Sequence, residues 1–274
     1  MNKFTLVLLA TSPLLLSGCL ESRMNTNKLC DKYPKLRCSE LNLNDGQCRL
    51  PRTDLIWHRK EVLESPTDKN KIKEFAFVRE YQKCLDLAAQ IEPTKVGNKK
   101  ERRFSALMHS YDEQKRIISE LQQSDSPEAL YFLWTQGDNN ALSRFLRLEG
   151  SKQVQTAELQ YSLATYYITR NKERAITLLN NALRLSNGKK VNVSIIESLA
   201  SANHSLKRKE HAYIWVMVSK EFDISVASER NLSVLYGFSE EQKKQLQKIA
   251  DKITDAINDG TYHPSLMPPH KVNN

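Results

Sequence analysis

Apolar residues recur at three- and four-residue steps through most of this chain, the spacing that lines one face of an α-helix. Ile72, Phe75, Ala76, Tyr81, Leu85, Ala88 and Ile91 predict a helix that opens near Thr67 or Asp68, where a side-chain oxygen can cap free backbone N–H groups, and ends at Glu92-Pro93. A shorter helix is expected over 53–63. After a loop at Val96-Gly97-Asn98, another helix places Phe104, Leu107, Met108, Tyr111, Ile118 and Leu121 on one face. Ser239-Glu240-Glu241-Gln242 has the form of a capping box ahead of the stripe Leu246, Ile249, Ile253 and Ile257. Gly260 stops that last helix, and 260–274 is expected to be a flexible tail.

One stretch breaks this pattern. Phe4 to Leu16 is almost continuously apolar behind Lys3, too short to span a bilayer and of the length of a signal-peptide core. It runs into Leu16-Ser17-Gly18-Cys19, which resembles the lipobox of bacterial lipoproteins. The resemblance implies that 1–18 is removed, that Cys19 carries diacylglycerol on sulfur and an acyl chain on nitrogen, and that 19–29 is a tether of roughly 16 Å. Several acyl chains anchor stably where one is marginal. Leu20 stands where an Asp would resemble an inner-membrane retention signal, so the outer membrane, on its periplasmic side, is the expected address.

That address bears on the cysteines. Besides Cys19 there are four, Cys30, Cys38, Cys48 and Cys84, and an oxidising compartment predicts two disulfides with three pairings open. Cys84 falls in the helical pattern, while the other three lie in a loop-rich segment with Pro34 and Asp45-Gly46, so one bridge is expected to staple that segment to the helix. Zinc is the rival, but no Cys-x-x-Cys pair occurs and the spacings are wide.

From residue 124 helix pairs recur. Ser198-Leu199-Ala200 repeats Ser162-Leu163-Ala164 after 36 residues, and Ala141, Ala175 and Ala212 follow at steps of 34 and 37. Small residues suit the close crossing of two paired helices, and Phe145, Leu179 and Val216, four places on, would fill the seam to the next pair. The spacing resembles the tetratricopeptide (TPR) and Sel1-like repeat families. The unit at 156–187 matches best, with Tyr166, Ala175, Leu179 and Ala182. The unit at 193–222 keeps Ala200, Ala212 and Ser219, and that at 124–150 keeps Ala129 and Ala141 but has Leu148 where a small residue is usual. No proline closes the units, and Leu163 replaces the family's tight-position glycine. The alternative is three ordinary helical hairpins. Together these features predict an all-α fold: a helical-hairpin, TPR/Sel1-like solenoid over 124–259 that includes a terminal capping helix, preceded by a disulfide-stapled helical region over 30–123.

Scarce glycine and proline, 8 and 9 residues, agree with helices, and the net charge of +9 would favour anionic lipid or an acidic partner, though solvated charge is the blander reading. The basic run Lys99-Lys100-Glu101-Arg102-Arg103 is expected to be an exposed turn, with headgroup contact as the alternative. Nucleic acid is not an expected partner on the periplasmic side.

The cysteine-rich start, Glu128-Ala129-Leu130-Tyr131-Phe132-Leu133-Trp134 and His211-Ala212-Tyr213-Ile214-Trp215 resemble a group of Gram-negative lipoproteins that carry a domain of unknown function. Catalytic signals are weak. Ile196-Glu197-Ser198 resembles the Glu-Ser core of lytic transglycosylases, which would make Glu197 a general acid of a murein-acting enzyme, but the downstream part of that motif is absent. His204 and His211 flank a helix–helix turn, where turn or surface roles are expected in place of metal binding; no metal or other cofactor is expected beyond the lipid. The function expected is that of an adaptor, presenting a concave repeat surface to an envelope protein or peptide. Its candidate contacts are Tyr131, Trp134, Tyr166, Tyr167, Asn203 and His204, with core packing as the alternative for the aromatics.

Overall fold

The computed structural model describes residues 25–92, 97–186, 188 and 191–270, so Cys19 and the lipobox residues Leu16, Ser17 and Gly18 lie outside it. The described residues form twelve α-helices and no strand. In order they are α1 (Thr26–Lys32), α2 (Arg49–Glu64), α3 (Asp68–Ala88), α4 (Lys99–Leu121), α5 (Pro127–Thr135), α6 (Asn139–Arg147), α7 (Ala157–Tyr167), α8 (Lys172–Leu185), α9 (Val193–Ser205), α10 (Lys209–Glu221), α11 (Glu229–Tyr236) and α12 (Glu240–Asn258). They pack as two units. The first comprises the described residues up to Glu64 with Phe77–Ser110, and the second Ser65–Ala76 with the described residues from Tyr111 onward. The division expected at residue 123 therefore falls inside α3 and α4.

In the first unit, Leu29, Leu36, Leu41, Leu55, Ile56, Val78, Tyr81 and Leu85 are buried together with polar groups that secure an irregular segment. Cys30 is bridged to Cys38 and Cys48 to Cys84, so the second bond ties that segment to α3 as expected. Arg37, Asn42 and Cys48 adopt left-handed backbone angles, which turn the chain sharply and leave carbonyls without helical partners. Side chains supply the missing donors. Arg52 Nη1 and Nη2 donate to the carbonyls of Asn42 and Asp45 at 2.8 and 2.9 Å, Arg59 Nη1 donates to Leu36 at 2.9 Å, and the Tyr81 hydroxyl donates to Leu41 at 2.5 Å.

α4 buries only Leu107 and Leu121 of the face its apolar residues predict, with Ile118 half-buried. Phe104, Met108 and Tyr111 are exposed, whereas Arg103, Ala106, Leu107, Ser110, Glu113, Ile117 and Leu121 form the buried row. Hydrogen bonds to Arg103, Ser110 and Glu113 let polar residues occupy it. On α3, Ala76 and Ile91 beyond its end are likewise exposed, and Val78 and Glu74 are buried instead.

The second unit packs successive helix pairs, α5–α6, α7–α8 and α9–α10, in a solenoid-like order. Ala141, Ala175 and Ala212 are fully buried, as are Phe145 and, to within 1 % exposure, Leu179. Val216 is half-buried. Its neighbour Trp215 is buried instead, at 1 % exposure, with its ring 6.1 Å from that of Tyr262. Ser126, Asp138, Thr156, Asn171 and Asn192 cap α5 to α9 in turn by accepting from first-turn backbone N–H groups. Ser239 and Gln242 form the expected capping box on α12, which buries Leu246, Ala250, Ile253 and Ile257 and leaves Ile249 half-buried. Residues 260–270 are not loose. The Tyr262 ring is 3 % exposed, and its hydroxyl donates to Asn180 Oδ1 of α8 at 2.5 Å, while His211 Nε2 of α10 donates to the Pro268 carbonyl at 2.8 Å. Gly188 lies against the Asn258 carbonyl so closely that a methyl group there would collide with it. No helix among the described residues is long and apolar enough to cross a membrane.

Candidate functional site

The first helices of consecutive pairs carry a recurring arrangement. α5 reads Glu128-x-x-Tyr131-x-Leu133-x-Thr135 and α7 reads Glu158-x-x-Tyr161-x-Leu163-x-Thr165, thirty residues later. Three-residue spacing puts each Glu and Tyr on one helix face, and the two threonines donate alike to the carbonyls of Phe132 and Ser162 at 2.6 and 2.7 Å. Leu133 and Leu163 point into the core at 1 % and 0 % exposure. The Glu and Tyr side chains instead line a cleft of about 320 Å³. Lys69 and Ile72 from the start of α3 and Asn192, the cap of α9, complete its walls, and Phe132 and Leu159 form apolar floor. Side chains from α3, α5, α7 and the cap of α9 thus converge on one concave feature of the second unit.

Beside the cleft runs a chain of rings in edge-on contact. Tyr131 lies 5.6 Å from Trp134, Trp134 5.8 Å from Tyr166, and Tyr166 5.0 Å from Tyr167, measured between ring centroids. This spacing is that of favourable aromatic pairs. The Arg170 guanidinium covers Tyr166 at 4.3 Å. The Tyr167 hydroxyl donates to Glu149 Oε2 at 2.6 Å, which pushes its pKa up to about 12, and Arg174 Nε holds the other Glu149 oxygen at 2.7 Å.

Four of the six expected contact residues, Tyr131, Trp134, Tyr166 and Tyr167, are therefore brought together, each partly exposed. The other two are not. Asn203 is buried at 2 % exposure with Nδ2 donating to the Leu199 carbonyl at 2.8 Å, so it belongs to the interior and is withdrawn from the contact surface. His204 is exposed but faces Tyr236 of α11 at 6.2 Å. Glu128, Glu158, Tyr161 and Lys69 were missed. The signal for the two glutamates and Tyr161 is the thirty-residue Glu/Tyr recurrence, which the 34-to-37-residue register passes over, and Lys69 has no such signal.

A larger, open depression of about 710 Å³ lies among α10, α11 and α12. Two ion pairs lie within it, Lys243 with Glu240 at 2.7 Å and Lys220 with Glu229 at 3.7 Å. Glu197 is exposed on α9 and lines neither of these clefts. Among the described residues no group of three or more His, Cys, Asp or Glu could hold a metal ion.

In the first unit the basic run divides. Lys99 and Lys100 are exposed, but Arg103 is 5 % exposed and pairs with Asp45, with Nε donating to Oδ2 at 2.5 Å. Its Nη1 also donates to the carbonyls of Ala88 and Ile91 at 3.1 and 3.2 Å. This guanidinium, helped by the Gln47 N–H, holds the Asp45 carboxyl at a pKa of about 2. Arg103 is thus a structural clamp and not part of an exposed turn.

A family model described as "protein of unknown function (DUF2989)" matches residues 16–217. No curated protein and no solved structure matches the chain.

Proposed function

This chain belongs to the family of proteins of unknown function DUF2989, and from that premise we propose that it is a lipid-anchored envelope lipoprotein whose helix-pair unit serves as an adaptor for another protein. The observation that carries the adaptor role is the cleft along α3, α5, α7 and the cap of α9, where first-helix side chains of successive pairs meet. A TPR- or Sel1-like ancestry of these pairs fits the fully buried Ala141, Ala175 and Ala212 at 34- and 37-residue steps. The anchor rests on Leu16-Ser17-Gly18-Cys19, where the family match begins, and on the pairing of all four remaining cysteines, which suits an oxidising periplasm. On this reading Cys19 holds diacylglycerol and an N-acyl chain in the outer membrane, and the cleft faces the periplasm.

In-cell photo-crosslinking tests the adaptor role. A benzophenone side chain at position 161 is expected to capture one enriched envelope protein, which the same probe at exposed position 245 on α12 does not. Equal capture from both positions, or none from 161, would overturn it. Metabolic labelling with a fatty acid tests the anchor: Cys19→Ser abolishes incorporation, and a labelled Cys19→Ser chain would refute lipidation there.

A further inference from the structure

The cleft's charge is unbalanced in a way that specifies what it takes. Neither the Glu128 nor the Glu158 carboxylate has a hydrogen bond or ion pair among the described residues, while the neighbouring acids Glu149, Glu173 and Glu120 are held by Arg174, Arg208 and Arg116. Lys69 alone among the cleft's lining residues is cationic, and it reaches neither carboxylate. Each free carboxylate stands one turn before a tyrosine on the same helix face, and a carboxylate beside an aromatic ring is a recognition element for an ammonium or guanidinium group. Ile72, Phe132 and Leu159 offer apolar surface for the methylene stem of such a side chain.

There are two of these elements, on neighbouring helices. Axes of packed helices lie roughly 8–10 Å apart, which is about three residues of an extended chain at ~3.3 Å each. Resting on the adaptor reading, we infer that the cleft binds an extended segment of a partner protein bearing two Lys or Arg residues three positions apart. One meets Glu128 and Tyr131, the other Glu158 and Tyr161. An acidic segment would be repelled by the same pair of carboxylates.

The test is fluorescence anisotropy with the purified full chain and labelled twelve-residue peptides in a Gly/Ser frame. A peptide with Lys-Ser-Ser-Lys is expected to bind saturably and more weakly as salt rises. One with Lys-Lys adjacent is expected to bind more weakly, and one with Glu-Ser-Ser-Glu not at all. Glu128→Gln with Glu158→Gln is expected to weaken the first peptide by roughly tenfold or more. Glu221→Gln, an exposed acid on α10, leaves it unchanged. An unchanged melting curve of the double variant confirms the fold. No binding by Lys-Ser-Ser-Lys, equal binding by the acidic peptide, or unaltered binding by the double variant would overturn the inference. The adaptor reading fails separately. If position 161 still captures its protein when both glutamates are neutralised, that reading stands and the cationic segment is wrong; if position 161 captures nothing in the unaltered chain, the adaptor itself is wrong.

Discussion

The two units bury similar kinds of side chain and hold them by different means. In the first, an irregular segment turns on left-handed residues at 37, 42 and 48, and its displaced carbonyls are met by Arg52, Arg59 and Tyr81 reaching across 7 to 40 residues of sequence, while Arg103 grips the Asp45 carboxylate and two disulfides fix the ends. In the second, helices satisfy their own backbone, each pair is closed by a polar cap, and contact between partners depends on alanines with no exposed surface. A backbone that leaves regular structure must import donors from elsewhere, since a buried unpaired carbonyl costs on the order of 1–3 kcal/mol. A backbone in paired helices needs only complementary shape. The first unit should therefore fail when covalent or ionic links are cut, and the second when volumes change.

The largest expected effect comes from Cys48→Ser with Cys84→Ser. That bond closes 36 residues, and loop-closure entropy puts its contribution at about 4 kcal/mol. Hydrogen exchange followed by mass spectrometry should show lost protection over 25–64 and 77–110 with α7 to α12 unchanged. Equal loss in α7 to α12 would break the comparison, because the second unit would then depend on the same link.

Next is the Arg103–Asp45 pair. Arg103→Met strands a carboxylate at 5 % side-chain exposure and should cost about 3 kcal/mol, while adding Asp45→Asn restores part of it, as urea unfolding would measure. The same pair sets acid sensitivity. A carboxyl whose folded pKa is depressed to about 2 contributes stability that is present above its unfolded value near 3.8 and is lost as pH falls from about 4 towards 2. The loss is on the order of 2 kcal/mol. It should vanish in the Asp45→Asn chain.

How much of this was legible follows from the same contrast. The repeating unit announces itself, because its packing is local and periodic: Ala141, Ala175, Ala212 and the Ser239–Gln242 box stand in the sequence at the spacings the structure uses. The buried face of α4 does not, since Arg103, Ser110 and Glu113 take core positions whose partners lie elsewhere, and the apolar Phe104, Met108 and Tyr111 are left outside. Pairing of Cys84 with the loop segment followed from element types, but the choice of Cys48 needed the fold. At the cleft, Tyr131 was visible as an aromatic on a first helix. Glu128, Glu158 and Tyr161 were equally present but recur at thirty residues, because α5 and α6, at 9 residues each against 11 and 14 in α7 and α8, set a shorter period than the next pair.

Two alanines sharpen the volume rule. Both Ala76 and Ala175 belong to apolar helical patterns, yet Ala76 is exposed and Ala175 is fully buried at a helix crossing. Ala175→Leu should cost about 2 kcal/mol through overpacking, whereas Ala76→Leu should lie within about 0.5 kcal/mol of the parent chain. Comparable losses at the two sites, measured by thermal unfolding, would show that helix propensity and not close approach selects alanine here.

The smallest effect concerns one of the two long polar reaches that the second unit makes to its own end among the described residues, His211 to the Pro268 carbonyl beside Tyr262 to Asn180. Burial lowers the pKa of His211 below its usual 6.5, and the nearby Arg208 and His270 push the same way, while Pro268 and Glu210 oppose them. A depressed histidine is neutral when folded and takes a proton more readily when unfolded. Its stability is therefore complete above about pH 6.5 and declines as pH falls below that value, the opposite sense from a histidine that gains an acidic partner. The decline should be smaller than the Asp45 step and should appear first as faster amide exchange over 262–270, where Tyr262 and Pro268 fasten the chain end to α8 and α10. His211→Gln keeps a donor for the carbonyl but removes the titration, so it should flatten stability between pH 7 and 5. If the slope survives that substitution, another group is responsible, and the Tyr262–Asn180 bond rather than His211 holds the docked end.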